Sequence, residues 1–191
     1  MMRLILVRHA QVVMEPDIPV ERWGLSPEGE VAALALLQHP ALSNVDVLVS
    51  SPEPKALATA GLLAAEAPVV TEPDLRELDR SRLGWLPGEE AYPAVVREIL
   101  AHPGRSVRGC ERAEDAQRRI VYATDRMVER YPHETVAVVS HGIVLTLYLS
   151  RLMGLETPSL TLWQSIAFPD VAVVDPVQRV VLRSFGQGST A

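Results

Sequence analysis

Short apolar runs of the kind that form buried strands alternate along this chain with segments of helical periodicity. The first run, Leu4 to Val7, is continuous and β-prone, as expected for a strand buried on both faces. Further runs occur at Val45 to Val49, at Val69 and Val70, and at Thr135 to Val139. Strands that alternate with helices predict a three-layer α/β/α sandwich with a mostly parallel central sheet.

Two helix starts are marked by serine followed by proline. Ser26 precedes Pro27, and Ser50-Ser51 precedes Pro52, so we expect helices to begin at both places, the second running to about Ala65. Apolar periodicity predicts three more helices. These cover about Glu89 to Ala101, about Glu111 to Arg130, and the segment from Gly142 to near Gly154.

The last part of the chain contains three more stretches that we interpret as strands. They are Ser159 to Phe168, Val171 to Val174 and Arg179 to Ser184. We expect them to be antiparallel and to close one side of the sheet. With 191 residues, 48% of them hydrophobic, one domain spanning residues 1–191 is the expected organisation.

Charge and cysteine content exclude several classes of function. The formal net charge is −6, which argues against nucleic acid as a partner. The single cysteine, Cys110, cannot form an intrachain disulfide and fits a reducing compartment, so we expect a cytoplasmic protein. The N-terminal apolar stretch is too short for a signal peptide, and runs such as Ile143 to Leu149 are too short to cross a membrane. The oligomeric state is left open.

Two histidines follow predicted strands directly. Arg8 and His9 come after the first strand, and His141 comes after the strand that ends near Val139. Ligands of open α/β sheets bind at the carboxyl ends of the strands, so we expect these three side chains to meet in one crevice. A single histidine is more often structural than functional, and the joint placement is what favours a site.

The segment Arg8-His9-Ala10-Gln11 resembles the Arg-His-Gly signature of the histidine phosphatase superfamily, which is phosphoglycerate-mutase-like. Other segments resemble that family in the same order along the chain. They are the serine-led segment from Ser50 through Lys55 to Ala60, the acid-bearing segment Leu75-Arg76-Glu77-Leu78, the second histidine motif Ser140-His141-Gly142, and the helix start Leu25 to Glu30.

The resemblance implies a phosphomonoester hydrolase for a small phosphorylated metabolite. His9 would be the nucleophile that forms a phosphohistidine, and Glu77 would donate a proton to the leaving oxygen and later accept one from water. Asp79 is the second candidate for that acid. Arg8, Lys55, His141 and Gln11 would hold the phosphoryl oxygens, a role that metals fill in other enzymes, so no metal or other cofactor is implied.

Two residues depart from the family pattern. Ala10 stands where the family has glycine, so the backbone there should avoid positive φ. Lys55 stands where the family has an arginine, which replaces a planar fork by a point charge. A phosphoglycerate-mutase-type phosphotransferase and a non-catalytic phosphate-binding protein remain as alternatives. A binding protein would not need the proton donor Glu77, which favours an enzyme.

Overall fold

The computed structural model of the protein describes residues 2–64 and 68–187. A six-stranded mixed sheet forms its centre. The strands are β1 (Arg3–Arg8), β2 (Val47–Ser50), β3 (Val69–Thr71), β4 (Thr135–Ser140), β5 (Asp170–Asp175) and β6 (Val180–Arg183).

The sheet has the strand order β3-β2-β4-β1-β5-β6. The four strands from β3 to β1 run parallel, whereas β5 pairs antiparallel with β1 and β6 antiparallel with β5. The predicted sheet, parallel at its centre with antiparallel strands late in the chain, is therefore confirmed.

Six α-helices surround this sheet in the described part of the chain. They are α1 (Pro27–Ala35), α2 (Pro54–Leu63), α3 (Ala91–Ala101), α4 (Ala113–Arg130), α5 (Gly142–Leu152) and α6 (Leu160–Ser165). The structure does not describe Ala65, the predicted end of the second helix.

Alternate residues of the central strands point to opposite faces of the sheet, and both faces are covered. On β1, Leu4 and Leu6 belong to the larger apolar core, which includes residues of α3, α4 and α5. Ile5 and Val7 belong to a second core with Ala60 and other residues of α2. Fully buried strands with apolar residues on both faces require helices on each side, which gives the predicted three layers.

The N-termini of two helices show how local sequence positions them. Ser26 accepts a hydrogen bond from the N–H of Gly29 at 3.0 Å, and Pro27 occupies the first position of α1, as predicted. Helix α2 begins at Pro54, two residues later than expected, because the Ser51 hydroxyl accepts the N–H of Glu53 at 3.3 Å in a turn that precedes the helix.

The prediction of a strand from Ser159 to Phe168 is wrong. Helix α6 occupies Leu160–Ser165, and the Ser159 hydroxyl caps it by accepting the N–H of Leu162 at 3.1 Å. Leu162 and Trp163 are both buried, which an alternating strand pattern does not allow. The serine cap decided the local structure here more strongly than the alternation of leucines with polar residues.

The strands that carry the two histidines are neighbours in the sheet. Arg8 pairs with Ser140 in the parallel register of β1 and β4, and Ser50 of β2 pairs with Val139. The chain segments that leave β1, β2 and β4 therefore begin side by side at the carboxyl edge of the sheet. Among the described residues, no helix is both long and apolar enough to cross a lipid bilayer.

Candidate active site

His9 lies at the carboxyl edge of the sheet with one ring nitrogen already engaged. Its Nδ1 is 2.8 Å from the carbonyl oxygen of Ala10. A carbonyl oxygen only accepts hydrogen bonds, so Nδ1 carries the proton and Nε2 keeps its lone pair. Burial, reinforced by the neighbouring His141, lowers the pKa of His9 well below its ordinary value. The ring is therefore neutral at physiological pH, with Nε2 in the form that a nucleophile requires.

His141 is fully buried beside His9, and their ring centroids are 5.1 Å apart. The Nε2 atom of His141 forms a hydrogen bond of 2.7 Å with the Ser51 hydroxyl, whereas its Nδ1 has no partner among the described residues. Burial lowers the pKa of His141 well below its ordinary value, and nearby cations add to that effect. The structure thus brings together the two histidines predicted to meet.

Arg8 is buried next to both histidines. Its Nη1 donates to the carbonyl oxygen of Ile166 at 2.5 Å, and its guanidinium carbon lies 3.3 Å from the centre of the Phe168 ring. Burial lowers the pKa of Arg8 to about 10, which leaves the side chain charged at neutral pH. The guanidinium also lies close to Gly142, where an added Cβ would come within 3.1 Å of it. Arg8 is thus a fixed cation at the start of α5.

Lys55 lies in the first turn of α2, as expected, and its ammonium group points to the same edge. It donates to Glu53 Oε2 at 2.5 Å and to the carbonyl oxygen of Val20 at 3.0 Å. The Lys55 and Glu53 side chains are only 6% and 11% exposed, so this ion pair is largely shielded from water. The second cation predicted for the site is present, and it has a carboxylate partner.

Glu77 reaches the N-terminus of α5. Its carboxylate accepts the N–H groups of Ile143 and Val144, each at 3.1 Å, and that of Leu78 at 2.9 Å. Burial raises the pKa of Glu77, and the three backbone hydrogen bonds oppose that rise without cancelling it. A carboxyl group with a raised pKa can hold a proton to give away.

Asp79, the competing candidate for the acid, lies away from these residues. Its side chain is exposed and accepts the N–H of Ser81 at 2.9 Å, which holds its pKa below the ordinary value. No strand forms around Asp79, and its position is set by the turn to Ser81. The structure thus brings Glu77, and not Asp79, to the carboxyl edge.

The loop after His9 is fixed from two sides. The N–H of Ala10 donates to the Thr59 hydroxyl of α2 at 3.0 Å, and the carbonyl oxygen of Gln11 accepts the N–H of Ser26 at 2.9 Å. Ala10 is not among the residues with positive φ, as expected from its side chain. The Gln11 side chain is exposed, and its contact with a phosphoryl group stays a prediction.

Sequence reasoning missed three residues that contact this site. Glu53 pairs with Lys55, Phe168 covers Arg8, and Arg119 donates to the carbonyl oxygens of Asp74 and Arg76 at 2.8 Å and to that of Glu77 at 3.2 Å. The only sequence signal for Glu53 was its position, two residues before Lys55. Phe168 and Arg119 lie outside every recognised motif.

The site combines a neutral imidazole, two fixed cations and a protonatable carboxyl group at one sheet edge. This set can attack a phosphorus atom, hold its oxygens and protonate a leaving group. Within residues 2–64 and 68–187, His, Cys, Asp and Glu side chains form no group of three or more that could hold a metal ion.

Comparison with known proteins confirms the resemblance. The family model of the histidine phosphatase superfamily (branch 1) matches residues 4–174. A phosphoserine phosphatase 1 from Hydrogenobacter thermophilus is 29% identical, over 82% of this chain and 78% of that protein. A probable phosphoglycerate mutase from Yersinia enterocolitica is 28% identical, over 81% of this chain and 76% of that protein.

A solved structure has the same fold. It is a variant phosphoserine phosphatase from Entamoeba histolytica in complex with phosphoserine, with a TM-score of 0.74 and 18% identity. The match covers 99% of this chain and 98% of the other.

Proposed function

We propose that this chain, which belongs to the histidine phosphatase superfamily, hydrolyses the phosphomonoester of a small phosphorylated metabolite through a phosphohistidine on His9. The family, together with the relative named phosphoserine phosphatase, supports a hydrolase of the histidine phosphatase type, as the sequence predicts. The chemical intermediate and the roles of the individual side chains are the parts that we propose.

The contact between His9 Nδ1 and the Ala10 carbonyl oxygen is the observation that carries the proposal. The hydrogen bond of 2.8 Å between Nδ1 and the Ala10 carbonyl oxygen leaves Nε2 unprotonated, and burial keeps the ring neutral. Buried histidines with a purely structural role usually satisfy both nitrogens. Here the lone pair of Nε2 remains available beside Arg8 and His141.

In the first step, Nε2 of His9 attacks phosphorus. The nitrogen–phosphorus bond forms as the bond to the leaving oxygen breaks, and Glu77 gives its proton to that oxygen. In the second step, Glu77 accepts a proton from water as the water oxygen bonds to phosphorus and the bond to Nε2 breaks. Each step transfers one phosphoryl group and one proton, and the enzyme returns to its starting state.

The remaining polar residues bind the phosphoryl oxygens. Arg8 and Lys55 supply positive charge, and His141 and Gln11 supply further hydrogen bonds. Because these groups can neutralise the transferred group without a metal, we expect hydrolysis of an aryl phosphate to continue in EDTA. Loss of activity in EDTA that a divalent ion restores would contradict this part of the mechanism.

Three of the similar proteins bear on the substrate. Two of them are named phosphoserine phosphatase, after a small phosphorylated substrate, and this supports a substrate of that class here. The relative named as a probable phosphoglycerate mutase supports the alternative that the phosphoryl group returns to substrate. A mutase must exclude water during the lifetime of the phosphoenzyme. Since water is the phosphoryl acceptor in the reaction proposed here, we expect negligible isomerisation of 3-phosphoglycerate with catalytic bisphosphoglycerate, beside hydrolysis of the preferred phosphoester.

The direct test is to trap the intermediate. Enzyme mixed rapidly with a phosphorus-labelled phosphoester and quenched in alkali should carry label on His9, since phosphohistidine survives alkali and is lost in acid. His9→Ala should carry no label and show no turnover, while its far-ultraviolet circular dichroism stays that of the wild type. Retention of most activity by His9→Ala would remove the covalent step.

A further inference from the structure

Glu53 contacts more of the site than any role assigned so far explains. Its Oε2 lies 2.5 Å from Lys55 Nζ, and its Oε1 accepts the main-chain N–H of Glu77 at 2.7 Å. The same Oε1 lies 3.4 Å from His141 Nε2. The Glu53 carboxylate thus lies among the groups that would bind a phosphoryl anion, and its negative charge repels that anion.

We propose that Glu53 is an affinity-determining residue that offsets the charge of Lys55 and so keeps the affinity of the site for phosphate low. This inference rests on the proposed function, because it takes the surroundings of Lys55 as the phosphoryl site. Glu53 itself has no role in the proposed catalytic steps.

The hydrogen bonds of Lys55 support this role. An ammonium group has three donors. Two of them are directed to Glu53 and Val20, so one remains for a phosphoryl oxygen. Glu53 also partly cancels the positive charge of Lys55 at a distance of 2.5 Å. Both side chains are largely shielded from water, so the two charges interact more strongly than they would in bulk water.

The charge of Glu53 is not needed for its other contacts. A neutral glutamine side chain also has an oxygen that can accept the N–H of Glu77, and it has nearly the same size. Glu53→Gln therefore removes the negative charge while it preserves that hydrogen bond. A residue that only shaped the loop would tolerate this change without a change in anion affinity.

The test is a cycle of four proteins: the wild type, Glu53→Gln, Lys55→Met, and the double variant. Isothermal titration calorimetry with inorganic phosphate at pH 8 measures Kd for each. Titrating above the lowered pKa values of His9 and His141 keeps both rings neutral before binding. We expect Glu53→Gln to bind phosphate about tenfold more tightly than the wild type, because one repulsive charge has been removed.

The double variant shows whether the Glu53 carboxylate repels the anion when Lys55 is absent. Lys55→Met leaves Glu53 uncompensated beside the anion, so phosphate binding should weaken strongly, and adding Glu53→Gln should recover about tenfold. If Glu53 is merely structural, its substitution adds a second loss to that of Lys55→Met. That result, or unchanged or weaker binding by Glu53→Gln alone, would overturn the inference.

A matched control separates local charge from net charge. Glu129 is exposed near the end of α4, before the amino end of β4 and so at the opposite edge of the sheet. Glu129→Gln should change Kd less than twofold, and a change as large as that of Glu53→Gln would overturn the inference. Failure of the proposed function appears separately, as the absence of label on His9. If none of the four proteins binds phosphate, the inference fails whatever the labelling shows.

Discussion

Arg119 donates a hydrogen bond of 3.2 Å to the carbonyl oxygen of Glu77, and thereby links helix α4 to the segment that carries the proposed acid. The same guanidinium forms two hydrogen bonds to Glu111, of 3.1 and 2.8 Å, which orient it. From the sheet side, the Ser140 hydroxyl donates to the carbonyl oxygen of Leu75 at 2.7 Å. Glu77 therefore has a fixed position although no strand or helix contains it.

Replacement of Arg119 should affect catalysis through position and not through charge at the substrate. We expect Arg119→Met to lower kcat about ten- to hundredfold with little change in KM, because Glu77 is displaced while Arg8 and Lys55 remain. It should also lower the free energy of unfolding by about 2–4 kcal/mol, since the half-buried Glu111 loses its ion pair with Arg119 and three carbonyl oxygens lose a donor. Steady-state kinetics and urea denaturation measure the two effects.

Arg118 provides the control for that substitution. It lies on the same helix, but its pair with Asp115 is exposed, so Arg118→Met should change stability by less than about 0.5 kcal/mol. Unchanged kcat in a folded Arg119→Met protein would show that Arg119 does not position the acid.

The sequence predicted the parts of the site that depend on local signals. Buried β-prone runs followed by Arg8, His9 and His141 placed these residues at strand ends, and neighbouring parallel strands brought them together. The contacts of Glu53 and Arg119 could not be predicted, because they join segments 24 and 42 residues apart through side chains that look like surface charges. The strand prediction for Ser159 to Phe168 was wrong for the opposite reason, because two local signals, the serine cap and the alternation of leucines with polar residues, conflicted there.

The pH dependence of kcat/KM should report His9 and Glu77. His9 must be neutral to attack, and burial lowers its pKa, so the acid-side loss of activity should lie well below the ordinary histidine value of about 6.5. Glu77 must be protonated in the first step, and burial raises its pKa, so activity should fall on the alkaline side above the ordinary glutamate value.

Glu77→Gln tests whether Glu77 causes the fall of activity on the alkaline side. It should remove the alkaline decline assigned to Glu77 and lower kcat about 10²–10⁴-fold on an alkyl phosphate, whose leaving oxygen needs a proton. On an aryl phosphate with a good leaving group, the loss should be much smaller. Equal losses on both substrates would mean that Glu77 does not protonate the leaving oxygen.

Gly29 is required by the close approach of α1 to the loop after His9. A Cβ at this position would lie 2.1 Å from the carbonyl oxygen of Gln11. Gly29→Ala should therefore lower the free energy of unfolding by about 1–3 kcal/mol, as the backbone moves to relieve the clash. If Gln11 binds the phosphoryl group, KM should rise as well.

Gly61 offers the matched control in α2. It is exposed, and an added Cβ meets nothing within 4 Å, so Gly61→Ala should raise stability by about 0.5–1 kcal/mol. Urea denaturation of both variants gives the comparison. A Gly29→Ala protein as stable as the Gly61→Ala protein would show that the approach of α1 to Gln11 is not tight.

At Lys55, a change of side-chain shape and a loss of charge should have opposite effects on activity. Lys55→Arg should raise kcat/KM or strengthen inhibition by phosphate, by at most about tenfold, since a planar fork can pair with Glu53 and still offer parallel donors to a phosphoryl group. Lys55→Met should lower kcat/KM sharply, because it removes the cation and leaves the Glu53 carboxylate uncompensated at a side-chain exposure of only 11%. Steady-state kinetics with phosphate as inhibitor measures both variants. If both behave like the wild type, Lys55 does not contact the phosphoryl group, and the start of α2 is not part of the active site.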